Sequence, residues 1–260
     1  MNMRIHPLPA FEDNYIWVLR QPRGRHCVVV DPGDEDPVLA WLEEQELGLS
    51  AILVTHGHGD HTGGVRALKA RWPDAVVYGP SRERVPVVEQ PLEEGASLSL
   101  EGLDVSCRVM EVPGHTAGHL AYRLADVLFC GDTLFAGGCG RVFSGTHEQL
   151  SDSLRRIAAL PGDTLLYCAH EYTLANLGFA LWVEPDNEAI LRRKLAEEEK
   201  RSRGEPTVPS TLALELATNP FLRTAEPAVI AAAERWAGRP LNGHREVFRA
   251  LRNWKDQDYD

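Results

Sequence analysis

Three histidines and one aspartate lie within six residues, directly after a short apolar run. Residues 52–54 read Ile-Leu-Val, and after Thr55 the sequence continues His-Gly-His-Gly-Asp-His through residue 61. Imidazoles and a carboxylate crowded at the end of a buried strand must be solvated, hydrogen-bonded or coordinated, and this donor set suits Zn, Fe or Mn. The glycines let the backbone turn so that these side chains converge. A solvated polar loop is the alternative, but the density of ligands favours a metal site.

Three later apolar runs also end in a side chain that can bind a metal. Because strand-end loops meet along one edge of a sheet packed by helices, we expect these residues to converge with the first group. The complete candidate set is His56, His58, Asp60, His61, His115, Asp132 and His170. Seven ligands exceed the need of one four-coordinate ion, and with one bridging carboxylate they suit two ions about 3.5 Å apart.

A two-metal site predicts hydrolytic chemistry, since a hydroxide held between two ions attacks a carbonyl group without a serine nucleophile. His119 lies near His115, and we expect it to pack or hydrogen-bond rather than to bind metal. Asp31 follows another predicted strand, where capping a turn and supporting the site are both open.

Composition restricts the partners of the chain. The net charge of -11 disfavours nucleic acid, which needs a basic face, and an anionic small substrate would need a local basic patch. The five scattered cysteines form no C-x-x-C pair, which indicates a reducing compartment. Without a signal-like apolar start or a membrane-length apolar run, we expect a cytoplasmic protein that does not contact membranes. We also expect a monomer.

Strand patterns fill the chain up to about residue 170, and helical patterns follow from about residue 185. This change predicts a mixed α/β domain followed by a small helical domain.

The metal-binding pattern resembles the metallo-β-lactamase superfamily, and other segments are similar to one family within it. These segments are residues 130–135 (Cys-Gly-Asp-Thr-Leu-Phe), 138–141, 169–177, 183–185 and 252–257. They resemble hydroxyacylglutathione hydrolase, or glyoxalase II, across essentially the whole chain. The resemblance implies an αββα sandwich over residues 1–172, as a catalytic domain, and a C-terminal all-helical, substrate-binding domain over residues 173–260.

The same resemblance implies hydrolysis of S-D-lactoylglutathione to D-lactate and glutathione, the second step of methylglyoxal detoxification. Two divalent ions, usually Zn but also Fe or Mn, would bind. His56, His58 and His115 would hold one ion; Asp60, His61 and His170 would hold the other. Asp132 would bridge them, and Asp60 and Asp132 would act catalytically with the metal-bridging hydroxide. The glutathione-contacting positions would be Arg141, Phe143, Tyr172, Arg252 and Lys255.

Two positions depart from the family pattern. Gly57 stands where the family often has a further histidine that does not bind metal, so the site should survive. Phe143 stands where some relatives carry a tyrosine hydroxyl, so one glutathione contact would be lost.

Other classes remain open at this point. A lactonase or β-lactamase would use the same ligands, whereas a persulfide dioxygenase with a single iron would not need the second ligand set. A nuclease is disfavoured by the acidic charge. A metal-binding module without enzymatic activity is the alternative from a different class, and thioester turnover would distinguish it.

Overall fold

The apolar runs predicted as strands form two sheets in the first of two units. The computed structural model describes residues 3–103 and 105–259; Met1, Asn2, Asp104 and Asp260 lie outside the described residues. One unit comprises Met1–Glu111 with Gly118–Gly131, and the other comprises Val112–Ala117 with Asp132–Asp260.

The first sheet positions the histidine-rich loop. Its strands follow chain order: β1 (Arg4–Ala10), β2 (Asn14–Arg20), β3 (His26–Val30), β4 (Gly48–Leu53), β5 (Val76–Pro80) and β6 (Gln90–Leu92). β1 to β3 pair antiparallel, whereas β3 to β6 pair parallel. In the parallel pair, Val30 lies opposite Leu53, so the loops that follow β3 and β4 begin side by side.

Helices connect the parallel strands and cover one face of this sheet. They are α1 (Asp36–Glu44), the short α2 (Gly59–Thr62) and α3 (Val65–Arg71). Val38 and Leu42 of α1 and Leu68 of α3 are buried in the same apolar cluster as the core-facing residues of the strands. This burial is the main source of stability for such a layer.

A second, antiparallel group of strands completes the first unit. It runs in the order β10 (Val127–Gly131), β9 (Leu120–Leu124), β8 (Ser106–Glu111) and β7 (Ser97–Ser99). The buried Tyr122 hydroxyl donates to the carbonyl of Val54 at 2.6 Å, and its burial raises its pKa well above the ordinary value. Gly131 has a φ of +47°, and a Cβ there would lie 2.5 Å from Thr55 Oγ1, so the strand end requires glycine.

The second unit is mostly helical, as the sequence predicts for the C-terminal part. Its strands are β11 (Leu134–Phe135) paired with β12 (Gly138–Cys139), and β13 (Leu165–Cys168) paired with the two-residue β14 (Ser210–Thr211). Its helices are α4 (His147–Ala158), α5 (Thr173–Val183), α6 (Glu188–Ser202), α7 (Leu212–Thr218), α8 (Pro227–Ala237) and α9 (Gly243–Trp254), and a π-helical turn (Lys255–Tyr259) follows. Over residues 3–103 and 105–259, no helix has the length and apolarity to cross a membrane.

A fully buried carboxylate ties α7 to the hairpin formed by β11 and β12. Glu215 accepts hydrogen bonds from Arg193 Nη2 at 2.5 Å and from the backbone N–H of Gly137 at 2.8 Å. Ser210 and Asn219 donate to the same carboxylate at 2.5 and 3.0 Å, and Asn219 also donates to the carbonyl of Gly138 at 2.9 Å. The charge is therefore paired and its oxygens are satisfied inside the unit.

We expect Glu215→Ala to lower the free energy of unfolding by about 3–5 kcal/mol, because Arg193 would become a buried, uncompensated charge. Urea denaturation measures this change. Glu199→Ala is the matched control, since its ion pair with Arg203 lies on the exposed face of α6. That control should cost about 0.5 kcal/mol or less. A loss of similar size in both variants would contradict this account of the network.

Candidate metal centre

In the first unit, Asp31 organises the histidine-rich loop. Its carboxylate accepts hydrogen bonds from the backbone N–H and the hydroxyl of Thr55, each at 2.7 Å. The same carboxylate lies 3.1 Å from Nδ1 of His61. Asp31 therefore supports the site, which answers the question that its sequence position left open.

These contacts orient two of the histidine rings. Because the Thr55 hydroxyl donates its hydrogen bond to Asp31, its oxygen accepts a hydrogen bond from Nδ1 of His56 at 3.1 Å. His61 likewise directs Nδ1 at a carboxylate, so in both neutral rings Nε2 carries the lone pair. Nε2 of His56 lies 3.0 Å from Nδ1 of His58, and Nε2 of His61 lies 3.3 Å from Oδ2 of Asp60.

In the second unit, Asp132 lies between two histidines. Its Oδ2 is 3.5 Å from Nε2 of His115, and its Oδ1 is 3.4 Å from Nε2 of His170. Nδ1 of His115 donates to the carbonyl of Arg141 at 2.8 Å, which leaves the lone pair of the neutral ring on Nε2. One carboxylate thus presents a different oxygen to each of the two histidines.

The donor set within each unit fits divalent cations. A lone pair on His115 Nε2 facing a carboxylate oxygen at 3.5 Å is repulsive unless a cation or a proton lies there, and the His61–Asp60 contact repeats this situation. Imidazole nitrogens with carboxylate oxygens are the ligands that Zn, Fe and Mn accept.

His119 has the packing role that its sequence position predicts. Its ring is buried and stacks on the ring of His56 with centroids 4.6 Å apart and planes 20° apart. Its neighbour Leu120 donates its backbone N–H to the carbonyl of Thr55 at 2.8 Å. This segment therefore supports the loop that carries His56.

Comparison with known proteins determines the family. A family model described as the metallo-beta-lactamase superfamily matches residues 10–170, and one described as the hydroxyacylglutathione hydrolase C-terminus matches residues 171–258. The hydroxyacylglutathione hydrolase of Alkalilimnicola ehrlichii is 57% identical, over 96% of this chain and 97% of its own length. That of Halorhodospira halophila is 53% identical with the same coverage. The chain belongs to the hydroxyacylglutathione hydrolase family of the metallo-beta-lactamase superfamily.

Solved structures show a similar fold. ETHE1 from Myxococcus xanthus is 24% identical, covers 100% of this chain and 93% of its own with a TM-score of 0.68, and shows the fold alone. A protein named TTHA1623, solved in a di-iron-bound form, is 26% identical, with coverage of 84% of this chain and 100% of its own and a TM-score of 0.58. The predicted fold class is thereby confirmed: mixed sheets with helices and a C-terminal helical region.

The two family models meet at residues 170 and 171, whereas the two compact units of the structure divide elsewhere along the chain. The predicted domain boundary after residue 172 therefore stays a proposal.

Three of the positions that the family resemblance assigns to glutathione are accessible. The side chain of Arg141 is 52% exposed, and its Nε lies 3.4 Å from Oδ1 of Asp256. Phe143 is 65% exposed and meets the ring of His115 edge-on, with centroids 5.1 Å apart. Tyr172 stacks on His170 with centroids 4.8 Å apart. All three therefore lie beside residues of the second unit: Phe143 and Tyr172 contact the rings of two candidate ligands, and Arg141 lies beside Asp256.

Arg252 and Lys255 are placed differently. Arg252 is 1% exposed, and its guanidinium donates to the carbonyl of Cys139 at 3.0 Å and to Asp256 at 2.9 Å. Lys255 is also buried, with Nζ 5.9 Å from the centre of the Tyr259 ring. Helix α9 ends at Trp254, and Lys255 continues it with a helical φ of -62° and ψ of -42°, so Lys255 lies about one turn after Arg252.

Sequence reasoning missed two residues of the site. Asn14 donates to Oδ2 of Asp60 at 3.1 Å, and Asp256 accepts from Arg252. Asp256 stands inside the family-like segment 252–257 and was identifiable there by its position next to Lys255. Asn14 opens strand β2, where no pattern in the sequence marks it.

We expect Asp31→Asn to lower zinc affinity roughly 10- to 100-fold, because the amide cannot accept both hydrogen bonds from Thr55 and one from His61. Competition with a chelator measures the affinity. Asp36→Asn is the matched control, since it removes the same charge from an exposed position at the start of α1. Equal affinities in Asp31→Asn and the unsubstituted protein would rule out the support role.

Proposed function

We propose that this chain hydrolyses glutathione thioesters, converting S-D-lactoylglutathione and water to D-lactate and glutathione in methylglyoxal detoxification. The observation that carries the proposal is identity above 50% to hydroxyacylglutathione hydrolases over at least 96% of both chains. This similarity includes the C-terminal region as well as the candidate ligands. The buried cysteines, which no disulfide joins in the described chain, are consistent with a cytoplasmic location.

We further propose two metal ions. His56, His58 and His115 would hold the first ion, Asp60, His61 and His170 the second, and Asp132 would bridge them. Support comes from the pairs found within each unit and from the position of Asp132 between two histidines. The related TTHA1623 was solved with two irons, and zinc or manganese accept the same donors. When bound, the ions supply a water deprotonated at neutral pH and polarise the carbonyl of the thioester.

The side chains of this protein have separate tasks in that reaction. Asp31 and Thr55 hold His61 and His56 with Nε2 available as a ligand atom. Asn14 fixes the carboxylate of Asp60 by donating to Oδ2. On the substrate side, Arg141 provides an exposed guanidinium, a group that pairs with carboxylates such as those of glutathione.

Hydrophobic rings frame the second unit's histidines. Phe143 has no hydroxyl, so it contributes apolar contact with substrate but no hydrogen bond, whereas the half-exposed Tyr172 offers both. The substrate would thus be recognised by the charged guanidinium of Arg141 and by the aromatic rings of Phe143 and Tyr172. The proposed monomer needs no second chain to complete this set of residues.

Turnover of four substrates tests the proposed function. S-D-lactoylglutathione, a β-lactam, a lactone and glutathione persulfide should be assayed on one sample whose metal content is determined. We expect hydrolysis of the glutathione thioester to exceed the other activities. Faster turnover of the β-lactam, the lactone or the persulfide would contradict this proposal and favour that activity instead. No turnover of any substrate by protein with bound metal would indicate a binding module.

We expect the unsubstituted protein to approach two ions per chain, and Asp132→Ala to lose affinity for both ions together with nearly all turnover. Elemental analysis and thioester hydrolysis measure these effects. Asp163→Ala, at an exposed position before β13, is the control for loss of an aspartate. Full activity with one ion under metal excess would contradict the two-ion proposal.

We expect Arg141→Ala to raise KM for S-D-lactoylglutathione roughly 5-fold with kcat nearly unchanged, because a half-exposed charge contact is worth about 1 kcal/mol. A thioester without glutathione carboxylates should show no change in KM. Arg192→Ala, on the exposed face of α6, is the matched control. An equal rise in KM for both thioesters would show that Arg141 does not recognise glutathione.

A further inference from the structure

Glu83 lies in the segment between β5 and β6, where the sequence shows no metal-binding pattern. Its two carboxylate oxygens accept hydrogen bonds from two different loops of the first unit. Oε2 accepts the backbone N–H of Gly57 at 2.7 Å, and Oε1 accepts the backbone N–H of Gly118 at 2.9 Å. Both glycines neighbour histidines: Gly57 stands between His56 and His58, and Gly118 precedes His119.

Both loops approach Glu83 closely. A Cβ on Gly118 would lie 2.7 Å from Cγ of Glu83, and a Cβ on Gly57 would lie 3.2 Å from its Oε2. Glycine at these two positions therefore permits the contact with the carboxylate. Glu83 is itself half-buried, so its charge is less screened by water than that of an exposed carboxylate.

The two hydrogen bonds fix the surroundings of His56. On one side, Glu83 joins Gly57 to Gly118; on the other, the N–H of Leu120 donates to the carbonyl of Thr55 at 2.8 Å. Between these connections, the His119 ring stacks on His56. A glycine-rich loop has many alternative conformations, and holding one of them before an ion arrives reduces the entropy lost on binding.

We propose that Glu83 is a positioning residue that holds the loop of His56 and His58 in its metal-binding conformation. Its hydrogen bonds reach it from backbone amides rather than from the side chains of candidate ligands, so it acts through the backbone. The inference rests on the proposed metal centre, although the contacts themselves are part of the protein's own fold.

The test uses Glu83→Ala and Glu83→Gln in the full chain. Glutamine retains an oxygen that can accept one N–H, but its amide nitrogen cannot accept the other. Glu89→Ala is the matched control: Glu89 lies on the same segment and accepts from the N–H of Val77 and from Lys69, at 3.2 and 2.8 Å, away from both loops.

Two measurements are made on each variant. The first is zinc affinity, by competition with a chelator, and the second is amide hydrogen exchange in the metal-free protein. We expect Glu83→Ala to weaken the affinity for one zinc ion roughly 10- to 100-fold, with a smaller effect on the other and an intermediate loss in Glu83→Gln. In the metal-free protein, the amides of Gly57 and Gly118 should exchange about 10-fold faster or more.

Glu89→Ala should leave both zinc affinities and both amide exchange rates unchanged. Wild-type zinc affinity in Glu83→Ala, or unchanged exchange at Gly57 and Gly118, would overturn the positioning role. If the unsubstituted protein bound neither zinc, iron nor manganese, the proposed function would fail separately, while the exchange rates would still decide the role of Glu83.

Discussion

The arrangement of the first unit's candidate ligands depends on the carboxylate of Asp31. Three groups approach it: the N–H and the hydroxyl of Thr55, and Nδ1 of His61. These contacts determine that Nε2 is the nitrogen available to a metal ion in the rings of His56 and His61. The parallel pairing of β3 with β4 places Asp31 beside this loop. Asp31 has a φ of +52°, a conformation that aspartate tolerates better than most residues. The core of the sheet thus stabilises a local backbone conformation that the site requires.

The second unit uses a comparable arrangement. The carbonyl of Arg141 orients His115, and the chain between Asp132 and Arg141 includes the hairpin of β11 and β12. Buried Glu215 and Asn219 bind the backbone of this hairpin, so α7 helps to fix the segment that follows Asp132. The C-terminal helices therefore do more than offer groups to a substrate. They also stabilise the backbone between Asp132, the candidate bridging ligand, and Arg141, whose carbonyl orients His115.

Sequence reasoning identified the superfamily and fold class because the ligand pattern is short, dense and local, and it identified the family from matching segments elsewhere in the chain. It left the role of Asp31 open, since that role follows from the pairing of two strands separated by 17 residues between Val30 and Gly48. It missed Glu83, because a carboxylate that binds backbone amides needs no particular neighbours in sequence. It also gave no sign that Arg252, one of the expected glutathione-contacting positions, is buried, with its guanidinium donating to the carbonyl of Cys139 and to Asp256.

The burial of Arg252 bears on how an acidic protein recognises an anionic substrate. Asp256 accepts from Arg252 at 2.9 Å and lies 3.4 Å from Arg141, so one negative charge faces two positive ones. Lys255 adds another positive charge next to Asp256 in sequence. Arg141 and Arg252 therefore give the immediate surroundings of Asp256 a local positive excess within a chain whose net charge is -11. A carboxylate of glutathione would neutralise this local positive charge. The overall negative charge of the protein would not attract such a carboxylate over longer distances. Recognition would then depend on short-range contacts at Arg141, with Arg252 holding Asp256 and the carbonyl of Cys139 in place.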